Sequence, residues 1–260
     1  MKRSHIWISV IAVLVFGFLL FGDALARVAW EKHKFADLSL ALNFSDADLA
    51  LGIGNYYFGQ GAYNLDKAQK GFKEATRIEP KILWGHYQLA RIYFVKGEYD
   101  EALLEINKEL EANPENLRSL YVRGLINAYA DKLPEAENDF RRFIAWAPKG
   151  WAGYNDLAWI LAKQGKYQEA KNILLAALSE IPRASDNPWI LNSLGVAELN
   201  LKEYKNARGT FEKTKISLEK LSLKDWQAAY PGNNPEESAS GLEDFKKAVD
   251  ENLKRSLVDN

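Results

Sequence analysis

"YVRGLINAYADKLPEAENDFRRFIAWAP", Tyr121 to Pro148, contains two short amphipathic stretches joined at "ADKL" and closed by a proline. Pro134 falls near the start of the second stretch, where its missing N–H would have no helical partner anyway. Pro148 falls at the end, where a ring that cannot continue a helix acts as a stop. One such hairpin would be ordinary. A hairpin repeated at a fixed period would set the architecture.

The period is present. Ala68, Ala102, Ala136 and Ala170 stand 34 residues apart, and Pro80, Pro114, Pro148 and Pro182 keep the same step. Two residue types holding one period mark an array in which each hairpin buries its apolar face against its neighbours. In the fourth unit, "GYNDLAWILAKQGKYQEAKNILLAALSEIP", Leu157 and Ala158 fall on a first helix and Gly165 in the turn. Tyr167, Ala170, Leu174 and Ala177 fall on a second helix that ends before Pro182. The second unit repeats this with Leu89, Ala90, Tyr93, Gly97, Tyr99, Ala102, Ile106, Leu110 and Pro114. Small residues sit where two helices cross closely, and large ones fill the space beside them.

The grammar of a bulky residue, Leu-Gly or Leu-Ala, Tyr, Gly-x-Tyr, Ala, Phe or Tyr, Ala and Pro resembles the tetratricopeptide repeat. The resemblance covers about Leu49 to Lys220 in five units. It implies an all-α, right-handed superhelical solenoid of about five helix-turn-helix repeats, with the first helices lining a concave face. The departures are local. Two extra residues lie between Tyr63 and Ala68, and Asp131 and Leu133 replace the turn glycine and tyrosine of the third unit. The step from Ala170 to Ala207 is 37, and "RASDNP" takes up the additional residues, with Asp186 or Asn187 as cap and Pro188 in the first turn. The fifth unit lacks its terminal proline, so its second helix is expected to run on toward Leu221.

The chain divides into an N-terminal segment, 1–27, a leading helix and linker, 28–46, the array, 47–221, and a terminal turn and capping helix, 222–260. Val28 to Leu42 reads as a helix, with Ser45 or Asp46 capping the next. The last helix, "SGLEDFKKAVDENLKRSL", sets Leu242, Phe245, Val249 and Leu253 on one stripe and charges on the other, as the end of an array requires.

The N-terminus sets a second expectation. Ile6 to Gly22 is seventeen residues without a charge, preceded by Lys2 and Arg3. That is about the length of a membrane-spanning helix, and the basic residues hold its start in the cytoplasm. This predicts a single-pass protein, with the bilayer as one partner and the repeats outside the cytoplasm, in the cell envelope. The alternative is a cleaved signal, because Ala24 and Ala26 have the spacing of a peptidase site.

Composition excludes several functions. A net charge of -1 leaves no basic face for nucleic acid. The absence of cysteine removes disulfides, thiolate metal sites and cysteine nucleophiles. His5, His33 and His86 lack the spacing of a metal cluster. Carboxylates are scattered over solvent faces, and no pair stands against a histidine as acid and base. No catalytic, metal or cofactor residue is therefore expected, and the chain reads as a non-enzymatic scaffold.

The repeat register names the candidate binding row on the first helices: Asn55, Trp84, Tyr87, Arg91, Arg118, Tyr121, Asn155, Trp159, Trp189 and Asn192. Asparagine can donate to and accept from an extended peptide backbone, while Trp and Tyr offer rigid apolar area. A long groove so lined suits a peptide or protein partner. The alternatives are packing alone, with the array a structural or oligomerising module, and recognition of envelope glycans by the aromatic rings. A basic clamp for a terminal carboxylate is incomplete here, because Tyr87 stands at its leading position.

Overall fold

The computed structural model describes residues 17, 21–59, 61–229 and 233–257. The fold class is an all-α solenoid of paired helices; an isolated antiparallel bridge joins Phe58 to Tyr63. The chain forms two compact units, Met1–Tyr93 and Phe94–Asn260.

In the first unit, residues 21–33 are helical (α1), followed by α2 (Ala36–Leu42), α3 (Ala47–Tyr57), α4 (Leu65–Ile78) and the greater part of α5 (Gly85–Val95). The expected leading helix is broken, because Lys34 adopts a left-handed φ of 55° between α1 and α2. Of the two expected caps, Asp46 is the one used: its carboxylate accepts from Leu49 N–H at 2.9 Å. Trp30, Ile53, Ala68, Phe72 and Leu89 share one core.

The expected membrane anchor is corrected. Among the described residues no helix is long and apolar enough to cross a membrane. Most of Ile6–Gly22 lies outside the described residues. Where the following helix is described, one face packs on protein while Phe21, Leu25 and Val28 are exposed. Ala26, Ala29 and Trp30 are buried, and Ser39 Oγ donates to the Ala26 carbonyl at 2.8 Å. Asp23 accepts from Phe44 N–H at 2.6 Å and from the Ser45 hydroxyl. The expectations of a bilayer partner, a transmembrane helix and a single-pass topology are overturned with it.

In the second unit, α6 (Tyr99–Ala112) precedes three hairpins: α7 (Leu117–Tyr129) with α8 (Leu133–Trp146), α9 (Trp151–Lys163) with α10 (Tyr167–Glu180), and α11 (Pro188–Asn200) with α12 (Tyr204–Glu219). The turns within the units share one geometry. Gly97, Asp131, Gly165 and Lys202 occupy the same register position, and all have positive φ, from 59° to 76°. After each of the last three, a 6→1 bond closes the helix end: Lys132 N–H to Asn127 O, Lys166 N–H to Leu161 O, and Glu203 N–H to Glu198 O. The turn therefore demands the left-handed region, which glycine enters freely and Asp131 and Lys202 enter with strain.

Packing within the hairpins follows the small–large rule. Phe140, Leu157, Leu161, Ala170, Leu174 and Ile190 form one buried cluster. A Cβ on Gly195 would stand 2.6 Å from the Phe211 ring, so only glycine permits that approach of α11 to α12. The insertion at Ala184–Asp186 forms a 3-10 turn, and Asn187 Oδ1 accepts from Trp189 and Ile190 N–H at 3.0 Å to cap α11. The array closes with α13 (Leu223–Ala229), which the sequence pattern does not announce, and α14 (Ser238–Arg255). Leu242 and Val249 of α14 are buried, and Val249, Phe245 and Leu253 join the cluster around Phe211 and Leu218.

Candidate functional site

The expected row falls into two groups, one in each unit. In the first unit, Asn55 on α3 accepts a hydrogen bond from Gln88 Nε2 at 2.7 Å, and Gln88 Oε1 accepts from Arg91 Nη1 at 2.8 Å. The Arg91 guanidinium lies 4.7 Å from the Phe58 ring centre and 5.5 Å from that of Tyr87. Trp84 meets Tyr87 edge-on at 5.2 Å and holds a left-handed φ of 73° just before α5. Asn55, Tyr87 and Arg91 are thus brought together, but through Gln88 and Phe58, neither of which the register singled out.

In the second unit the row runs across α7, α9 and α11. Tyr121 on α7 donates its phenolic O–H to Asp156 Oδ2 at 2.5 Å. Asn155 Nδ2 donates to the other oxygen, Oδ1, at 3.1 Å. Asn155 Oδ1 in turn accepts from the Ser193 hydroxyl of α11 at 2.7 Å. Three consecutive first helices are therefore tied by one polar chain, with Asp156 at its centre. Asn192 stands beside it with a buried Oδ1 that has no hydrogen-bond partner.

Burial pushes the Asp156 carboxyl up to about 6, while the bonds from Tyr121 and Asn155 pull the other way. Removing water from a carboxylate disfavours its charge, and neutral donors compensate only in part. The same charge reaches Tyr129 on α7, whose phenol is pushed up first by burial and then by Asp156. Tyr129 is 54% exposed. Its ring lies 5.5 Å from that of Trp159, which also carries Lys163 Nζ at 5.2 Å.

Two expected residues stand apart from this network. Trp189 is 9% exposed and packed. It stacks on Trp151 at 5.0 Å and on Trp226 at 6.1 Å, with Phe245 at 6.4 Å. It therefore joins α9 and α11 to the terminal helices α13 and α14. Arg118 is exposed near the start of α7. A separate cleft of about 420 Å³ opens between α6, α7 and α8, with Leu110, Leu120, Arg123, Arg142 and Trp146 in its wall, and none of the expected residues lines it.

Among the described residues no group of three or more His, Cys, Asp or Glu is placed to hold a metal ion. Asp156 is held by a phenol and an amide, with no histidine against it.

Comparison with known proteins matches the tetratricopeptide repeat model over residues 87–143, 121–188 and 155–217, together half of the chain. The chain belongs to the tetratricopeptide repeat family. A tetratricopeptide repeat-containing protein of Pseudomonas aeruginosa is 32% identical over 136 residues, which is 52% of this chain and 22% of that protein. The chain spans about a fifth of the length of the curated relatives it matches. Among solved structures, a tetratricopeptide repeat protein from Parabacteroides merdae is 20% identical, with a TM-score of 0.58 and 98% of both chains covered. YrrB, described as a tetratricopeptide repeat protein with an unusual peptide-binding site, is 18% identical, with a TM-score of 0.56 over 70% of this chain and 92% of its own. These two likenesses concern the fold.

The family register also explains what sequence reasoning missed. Gln88, Asp156 and Ser193 share one position, directly after the fifth-position residues Tyr87, Asn155 and Asn192. In a tetratricopeptide repeat helix, adjacent residues are 100° apart, so both positions reach the same broad face. The signal lies one residue away from the expected row.

Proposed function

We propose that this tetratricopeptide repeat chain is a non-enzymatic scaffold that holds an extended segment of a protein partner on α7, α9 and α11. One observation carries the reading. Tyr121, Asp156, Asn155 and Ser193 form a continuous line of polar side chains across three helices. Beside it, the rings of Tyr129 and Trp159 are in contact with each other, and Tyr129 is open to solvent. Amides and a carboxylate suit the N–H groups of an extended backbone, and rigid rings suit its apolar side chains. The peptide-binding site ascribed to YrrB, on a similar fold, supports the same class of ligand. In the first unit, Asn55, Trp84, Tyr87 and Arg91 form a separate proposed contact surface of their own; in the second, Arg118 lies at the start of α7. Trp189 serves the α7–α9–α11 line from behind, by packing against α13 and α14.

The test is selection of peptide ligands from a random dodecapeptide phage library on the full chain. Affinities of the recovered peptides are then measured for Asn155→Ala and Trp159→Ala. Losing one buried hydrogen-bond partner is expected to weaken binding by about 1–3 kcal/mol, with the unfolding midpoint little changed for Trp159→Ala. Peptides that bind both variants as well as the parent chain would favour the packing-only alternative.

A further inference from the structure

We infer that the α7–α9–α11 groove takes a basic side chain, the ammonium of a lysine or the guanidinium of an arginine on the partner, against Asp156 and beside the rings of Tyr129 and Trp159. This rests on the groove reading above and specifies its ligand.

Three observations converge on it. First, Asp156 receives its hydrogen bonds from neutral groups, Tyr121 on one oxygen and Asn155 on the other. A carboxylate has about four lone-pair positions, so each oxygen retains capacity for a further donor. Secondly, several carboxylates of this unit carry their own cations, whereas the buried Glu198 on α11 accepts from the neutral Thr210 hydroxyl. Arg123 reaches Asp139 at 2.6 Å, Arg141 and Lys166 reach Glu137 at 2.8 and 3.0 Å, and Lys171 reaches Glu203. Asp156 belongs with Glu198 among the carboxylates bonded by neutral groups, and differs from it in lying on the α7–α9–α11 line, where burial works against its charge. A desolvated carboxylate without a cation gains most from one supplied by a ligand.

Thirdly, the walls are aromatic. Tyr129 and Trp159 lie ring to ring at 5.5 Å, and the phenol of Tyr129 is close enough to Asp156 to feel its charge. An aromatic face attracts a cation directly. Lys163 already shows the preference at Trp159, where its Nζ lies 5.2 Å from the ring centre, while its other contact, Asp131, is 3.8 Å away. Asp156 therefore favours a basic segment over an acidic one, against the opposing charges of Lys163 on the Trp159 ring and of Arg118 at the start of α7.

The experiment is a thermodynamic cycle on the full chain. A dodecapeptide recovered from the random library is labelled with fluorescein, and its lysines and arginines are replaced singly by methionine. Dissociation constants are measured for the parent chain and for Asp156→Asn, whose folding is checked by its unfolding midpoint. The expected result is a set of peptides enriched in Lys or Arg. One replacement should weaken binding to the parent chain at least tenfold, and binding to Asp156→Asn less than twofold. If that replacement weakens both proteins equally, or the peptides lack basic residues, the inference is overturned. The groove reading survives that outcome where Trp159→Ala still weakens binding. Peptides indifferent to Trp159→Ala, or a library that yields no binder, would overturn both.

Discussion

The Tyr121 phenol and the Asp156 carboxylate are 35 residues apart in sequence and 2.5 Å apart in space, which joins α7 to α9 by a single hydrogen bond. Asn155 and Ser193, 38 residues apart, repeat the relation between α9 and α11 at 2.7 Å. In both cases the fifth position of one unit meets the sixth position of the next, so the repeat register itself builds the polar line. The wiring fixes the side chains before any partner arrives, which lowers the ordering cost of binding.

Asp156 makes that line dependent on pH. A carboxyl pushed up to about 6 in the folded chain, from an ordinary 3.8, binds its proton more readily folded than unfolded. Its contribution to stability is therefore full below about pH 4 and is lost as the pH rises through 6. The shift corresponds to at most about 3 kcal/mol. In Asp156→Asn the new amide can accept from Asn155 and donate to the Tyr121 oxygen, and it carries no charge. Urea unfolding should find the variant more stable than the parent at pH 7.5, with the gap closing toward pH 4.5. A constant gap would show that Asp156 is not desolvated.

The turns offer a cleaner test of local geometry. Asp131 and Lys202 hold φ values of 59° and 62° at the position where the second and fourth units have Gly97 and Gly165. A left-handed residue with a Cβ costs about 1–2 kcal/mol. Asp131→Gly should therefore raise stability by about 1 kcal/mol, less a small loss from the exposed contact with Lys163 at 3.8 Å. Gly165→Ala should lower it by a similar amount. Equal melting temperatures for Gly165→Ala and the parent would contradict the turn assignment.

Much of the fold was legible because the repeat writes each packing rule several times. Ala136 and Ala170 are buried where two helices cross, and the prolines bound the second helices as their chemistry requires. The helix α13 was not legible, since "LKDWQAA" has only Trp226 to anchor it, and that residue acts by stacking on Trp189 from a distant part of the chain. Periodicity reports which face a residue occupies, but not which neighbour covers that face. For the same reason Trp189 read as groove surface although α13 and α14 cover it. Asp156 was passed over because a lone carboxylate on a helix is ordinarily solvated; only the approach of Tyr121 gives it a role.

Register can be tested at one pair of adjacent residues. Ala170 is buried at a helix crossing, whereas Glu169 is exposed and bonded to Arg141. Leucine at position 170 should overpack the crossing and cost about 1–3 kcal/mol. Leucine at position 169 should change stability by about 0.5 kcal/mol. Thermal denaturation of the two variants measures the difference, and equal shifts would displace the register of every later unit.

The α7–α8 hairpin contains a paired charge that should behave unlike the surface ones. Asp139 is 2% exposed and accepts from Arg123 at 2.6 and 2.9 Å and from Asn127 at 3.1 Å. Removing the guanidinium leaves a buried carboxylate with one amide donor. Arg123→Leu is expected to cost about 3 kcal/mol, while the double change Arg123→Leu with Asp139→Leu should recover part of it. Lys247→Leu, which breaks a fully solvated pair with Asp244, should be near neutral. An Arg123→Leu variant as stable as Lys247→Leu would mean that water reaches Asp139 freely.

The last prediction separates packing from recognition at Trp189. Its indole lies between Trp151 on α9 and Trp226 on α13, with Phe245 of α14 alongside. Truncating a buried tryptophan typically costs about 3–5 kcal/mol. In a repeat array such a loss is felt first by the nearest elements, because each unit contacts only its neighbours. Hydrogen exchange on Trp189→Ala should therefore show faster exchange in α13, α14 and the start of α11, with protection in α7 and α8 nearly unchanged. Peptide binding to the Asp156 groove should fall less than for Trp159→Ala. If Trp189→Ala instead keeps α13 and α14 protected and loses peptide binding, its indole faces the ligand, and the stacked arrangement is not the one populated in solution.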